Sequence, residues 1–117
     1  MQVEHWVDIE HITDGMKQLL KCLDEQFTII VRSGYRSPVY NERVGGSKSS
    51  QHCLGTAVDI SSPNAKCFEL AAYAIRLGWI KITGIGLDVF KDYVHLDTGI
   101  GPNRPAIWVY DRNGKDI

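Results

Sequence analysis

The sequence predicts an α+β fold: one antiparallel sheet with helices packed on one face. Helical periodicities concentrate early in the chain, while alternating and β-branched runs dominate its later part. Segregation of that kind favours antiparallel pairing over a parallel α/β sheet, which needs strands and helices to alternate throughout. The length of 117 residues, with 44% apolar and 23% charged residues, suits one domain over residues 1–117 that buries a core without disulfides.

The elements follow in order. Ile12, Met16, Leu19, Leu20, Leu23 and Phe27 fall at helical spacing, and Thr13 with Asp14 supplies an N-terminal cap, so a helix is expected over about 13–26. Thr28-Ile29-Ile30-Val31-Arg32 is a β-branched run and reads as a strand. A loop at Ser33-Gly34-Tyr35-Arg36 precedes a second helix, with Ser37 as cap, Pro38 at the first helical position and Gly45-Gly46 at its end.

Thr56 to Ser61 alternates as a strand, with Val58 and Ile60 on one face and Ala57 and Asp59 on the other. Ser62-Pro63 or Asn64 then caps a third helix with a buried stripe at Phe68, Ala71, Ala72 and Ile75, closed by Gly78. Strand-like segments follow at Ile82–Leu87, Tyr93–Asp97 and Ile107–Tyr110. No repeat, linker or low-complexity tract interrupts the pattern.

Composition excludes several classes. A formal net charge of −1 and the lack of basic runs give no reason to expect a nucleic-acid partner. Cys22, Cys53 and Cys67 form no CxxC pair and read as free thiols, Cys53 packing inward. No stretch is long and apolar enough to insert across a membrane. The first residues lack the basic and apolar regions of a secretory signal, so synthesis in the cytoplasm is expected. A monomer is expected.

The chemistry concentrates in Ser50-Gln51-His52-Cys53-Leu54-Gly55-Thr56-Ala57-Val58-Asp59 and in His95. His52, Asp59 and His95 offer two imidazoles and a carboxylate, a nitrogen and oxygen set suited to Zn2+ with one position left for water. Strand alternation places Asp59 and His95 opposite the buried Val58, Ile60, Val94 and Leu96, so neighbouring strands would aim both at one point. Gly55 permits the sharp backbone path that brings His52 over the strand. His5 and His11 read as ordinary surface residues.

Three ordered segments, Ser33-Gly34-Tyr35-Arg36-Ser37, Ser50-x-His52-x-x-Gly55-x-Ala57-x-Asp59 and Tyr93-Val94-His95-Leu96-Asp97, closely resemble the zinc D-alanyl-D-alanine carboxypeptidase family of metallopeptidases. That family includes cell-wall carboxypeptidases, the D-Ala-D-Ala dipeptidases of vancomycin resistance and phage endolysins that cut the L-Ala-D-Glu bond. Its fold is related to lysostaphin-type peptidases and the hedgehog domain. The resemblance spans about Phe27 to Asp97.

The resemblance implies zinc ligands at His52, Asp59 and His95 and a zinc-dependent peptidase acting on peptidoglycan stem peptides. It implies a catalytic carboxylate at Asp92, acting as base and then acid, with Asp88 and Asp97 as the other carboxylates in reach of the role. Asp92 lies three residues before His95, on the opposite side of a regular strand, so the role requires a turn or bulge there. Asp97 shares the face of His95 and is placed to orient an imidazole.

Arg36 is implied to steady the scissile carbonyl or a substrate carboxylate, and Ser50 resembles the motif's substrate-contacting serine, the alternative being a loop-stabilising hydroxyl. Tyr93 and Trp108 read first as core packing and otherwise as walls of the cleft, Tyr93 then touching substrate. A lone catalytic domain without an export signal resembles a phage endolysin that reaches the cell wall after release at lysis. The alternative is a non-catalytic zinc-bearing binding or structural module on the same fold.

Overall fold

In the computed structural model, which describes residues 1–115, one mixed six-stranded sheet carries the site on one face and the main core on the other. The elements are β1 (Gln2–Val3), α1 (Asp14–Gln26), β2 (Ile30–Ser33), α2 (Pro38–Arg43), β3 (Ala57–Ser61), α3 (Cys67–Leu77), β4 (Gly84–Asp88), β5 (Tyr93–Asp97) and β6 (Ala106–Val109). A short 3-10 helix, Gln51–Leu54, lies where the sequence reads as a loop.

The strand order is β1-β2-β3-β5-β4-β6. The central pairings β2/β3, β3/β5 and β4/β5 are antiparallel as expected, but both edges are parallel. At one edge the chain crosses through α1 between β1 and β2, and such a crossover returns the second strand in the direction of the first. At the other, β6 runs back alongside β4 after the β4–β5 hairpin. An antiparallel sheet throughout is therefore corrected to a mixed one.

Helices α1 and α3 cover one face. Met16, Leu19, Leu20 and Leu23 of α1 and Leu70, Ala71 and Ala74 of α3 pack on Val31, Val58, Ile60, Val94 and Leu96. Thr13 caps α1, its hydroxyl accepting the Met16 N–H at 3.3 Å, and Ser37 caps α2 in the same way through Tyr40 N–H at 3.1 Å. The stripe expected on α3 is rotated, because Phe68 and Ile75 are 58% and 52% exposed while Cys67, Leu70, Ala71 and Ala74 are buried.

Helix α2 stands apart from that layer. Its Tyr40, together with Val44 just after it, borders a cavity on the opposite face, so the helices do not all share one side. All three cysteines are free, Cys67 buried and Cys22 and Cys53 half-buried, so Cys53 packs inward only in part. Among the described residues no helix is long and apolar enough to cross a membrane.

Candidate metal centre

Register brings the expected ligands together. Asp59 on β3 pairs directly with His95 on β5, while Val58 pairs with Leu96 and Ile60 with Val94 on the core side. His52 comes from the 3-10 helix, which ends at Gly55 with a left-handed φ of 72°. That turn packs against the chain before α1: a Cβ at Gly55 would lie 2.5 Å from the His11 carbonyl oxygen.

One donor atom from each of His52, Asp59 and His95 lies within 4.8 Å of the others. The Asp59 Oδ1 stands 2.9 Å from His95 Nδ1 and 3.2 Å from His52 Nε2. Donors bound to one tetrahedral zinc at ~2.0–2.1 Å stand on the order of 3.3 Å apart, so these separations fit a shared ion.

The partners of the outer nitrogens orient both rings. His52 Nδ1 lies 2.7 Å from the Gly34 carbonyl oxygen, which only accepts, so Nδ1 carries the proton and Nε2 turns its lone pair toward Asp59. His95 Nε2 lies 2.7 Å from Asp97 Oδ2 and donates to it, so that once the ring gives up its second proton, as a metal ligand must, the Nδ1 lone pair faces Asp59. Neutral imidazoles so oriented would aim three acceptors at one point, and a cation is what reconciles them. The residues present therefore fit zinc.

The electrostatics point the same way. Burial opposes a charge on His95, yet its hydrogen bonds to Asp59 and Asp97 outweigh that and push its pKa up to about 9. Burial likewise raises the Asp59 carboxyl, but the adjacent His52 and His95 hold it well below the usual carboxylate range. Asp97 is fully buried, and although burial works against its charge, hydrogen bonds from His95 and Arg104 hold it low as well. The cluster attracts positive charge.

Asp97 is itself fixed. Arg104 grips it with two nitrogens, Nε at 2.9 Å and Nη2 at 2.8 Å, and the Gly99 N–H donates at 3.0 Å. The guanidinium also lies over the Trp108 ring at 5.2 Å, and Trp108 stands 5.3 Å from the His95 ring. A metal-ligating imidazole normally has such an orienting carboxylate on its other nitrogen. Arg104 carries no sequence signal for this, because it lies in the irregular connection between β5 and β6, where no periodicity shows which way a side chain turns.

The remaining expected residues divide. Arg36 reaches the site, its Nη2 3.8 Å from Asp59 Oδ2. Tyr93 lines the neighbouring cavity of about 560 Å³ with Asp59, Arg36, Tyr40, Trp6 and Lys91. Burial and the charge of Asp59 raise the Tyr93 phenol, which keeps it a neutral donor. Trp108 sits against His95 from β6.

Ser50 is placed differently from the substrate contact expected. Its hydroxyl accepts the His52 N–H at 3.2 Å and caps the 3-10 helix, and it does not line the cavity.

Asp92 stands apart from the cluster. The chain does bend there, with a φ of 57°, but the bend carries the carboxylate to α3, on the far side of the sheet from His95. Its Oδ1 accepts the Cys67 N–H at 2.9 Å. The cause is local: Lys66 at the N-cap makes no side-chain cap bond, and the unpaired N–H groups of a helix start draw a carboxylate. Asp88 is fully buried, and its Oδ1 accepts the Phe90 and Lys91 N–H groups in the hairpin turn. His11 pairs with Asp8 at 2.7 Å, away from the cluster.

Comparison with known families bears on this geometry. The family model described as Peptidase M15 matches residues 2–97. The chain belongs to the M15 family of zinc D-Ala-D-Ala carboxypeptidase-type metallopeptidases. The match covers all three metal-site residues and Arg36, whereas Arg104 and Trp108 lie beyond it. No curated protein matches the chain significantly.

Proposed function

We propose that this M15 chain is a zinc-dependent peptidase, one domain over residues 1–117, that hydrolyses peptide bonds in bacterial peptidoglycan stem peptides. The observation that carries the reading is the convergence of His52 Nε2, His95 Nδ1 and Asp59 Oδ1 at the edge of a peptide-sized cavity, with Arg36 beside them. Zinc, when bound, supplies Lewis acidity toward a carbonyl and toward water.

The chain's own residues supply the rest. Gly34 and Asp97 hold the two imidazoles in the ligating tautomer. Arg36 directs a fixed positive charge at the place where negative charge would develop on the scissile carbonyl. Trp6, Tyr40 and Tyr93 give the cavity apolar walls, while Arg36 and Lys91 favour a substrate that carries carboxylates, as stem peptides do.

The second reading, a zinc-bearing binding module without hydrolysis, draws support from one observation. Asp59 is the sole carboxylate lining the cavity among the described residues, and Asp92 serves α3 instead. Mass spectrometry of peptidoglycan incubated with zinc-loaded protein separates the two. New peptide termini would identify the bond and the enzyme; retention on peptidoglycan with no new termini would favour the module.

A further inference from the structure

Helix α2 is built the wrong way round for core packing. Val39 and Tyr40 are 64% and 41% exposed, while its buried residue is a polar one, Asn41, at 4%. Buried amides are retained where their hydrogen bonds are satisfied, and Asn41 uses both ends of its side chain. Its Oδ1 accepts from Arg36 Nη1 at 3.3 Å, and its Nδ2 donates to the Ser47 carbonyl at 2.7 Å.

The loop after α2 closes over this amide. The Gly46 N–H donates to the Asn41 carbonyl at 2.8 Å, and a Cβ at Gly46 would collide with the Asn41 side chain. On its other edge Arg36 donates from Nε to Ser33 Oγ at 3.2 Å. Two bonds to one planar fork define its orientation, and the remaining nitrogen, Nη2, is the one that faces Asp59.

We propose that Asn41 is a positioning residue: clamped by Ser47 and Gly46, it holds the Arg36 guanidinium in the plane that presents Nη2 to the metal site. The inference rests on the reading that Arg36 acts on a substrate there. An amide suits the post because one side must accept and the other must donate. Aspartate would keep the acceptor for Arg36 but set a lone pair against the Ser47 carbonyl, and alanine would lose both.

The test is a double-mutant cycle on the zinc-loaded full chain, with release of peptides from purified peptidoglycan as the rate. Asn41→Ala is expected to lower kcat/KM on the order of tenfold to a hundredfold, as misplaced groups do, and to add nothing in an Arg36→Ala background. An equal fold loss in both backgrounds would overturn the proposal. Asn41→Asp should lower Tm about as much as Asn41→Ala yet keep most of the rate; equal rate loss in the two variants would also overturn it.

A second measurement needs no turnover. NMR exchange of the Arg36 Nε–H should be slow in the parent chain and faster in Asn41→Ala, and in Asn41→Asp it should stay slow. Unchanged exchange in Asn41→Ala counts against the clamp. Faster exchange in a protein whose parent releases no peptide would uphold the clamp while removing the peptidase reading.

Discussion

Asp92 precedes β5 and Asp97 ends it, and their carboxylates serve opposite faces of the sheet. Asp92 answers an unpaired helix N–H, and a cap of that kind contributes about 1 kcal/mol. Asp92→Ala should therefore lower stability to denaturant by about 1 kcal/mol and leave zinc stoichiometry unchanged, as read by urea unfolding and metal analysis. Lost zinc in that variant would return Asp92 to the metal site. Asp97→Asn should instead reach the metal as well as the fold, because the amide can present a donor to His95 Nε2 and upset its tautomer while Arg104 loses its counter-charge. Zinc affinity should fall ~10–100-fold, measured by competition with a chelating dye.

At the scale of elements, the site was legible where periodicity and pairing agree. Alternation put Asp59 and His95 on the open face, and the β3/β5 register set them opposite each other. The α1 stripe was equally clear, since its leucines and Met16 recur at one face and are buried. On α3 apolar residues occur nearly all round, so Phe68 and Ile75 were indistinguishable in the sequence from Leu70 and Ala74. The parallel edge at β1 was hidden because Gln2–Val3 is too short to carry a pattern. Asn41 and Arg104 act through contacts made across loops, for which local sequence has no signature. The 3-10 helix offers an element-scale test. Gly55 ends it in a left-handed conformation packed against the His11 carbonyl, so Gly55→Ala strains the backbone and pushes His52 from the cluster. Reduced Tm together with weakened zinc binding is expected; normal affinity would show that His52 finds the ion without this turn.

For the whole molecule, the question is whether the metal makes the fold or uses it. The core of α1, α3 and the inner sheet face lies on the opposite side from the His52–Asp59–His95 cluster, and none of those three residues belongs to it. Small zinc modules that unfold without metal lack such an independent core. Here chelation should leave the far-UV circular dichroism native at room temperature. Zinc should still raise Tm, because an ion that binds only the folded chain adds about 2.7 kcal/mol at a free concentration a hundredfold above Kd. Titrating zinc into the metal-free protein should thus move Tm upward with concentration while the spectrum stays constant. The acceptors that meet at Asp59 would lose a proton-mediated truce and gain a shared cation, so the rise should shrink sharply in His52→Ala. Collapse of the spectrum on chelation would instead mean that the sheet depends on the ion to hold its open face together.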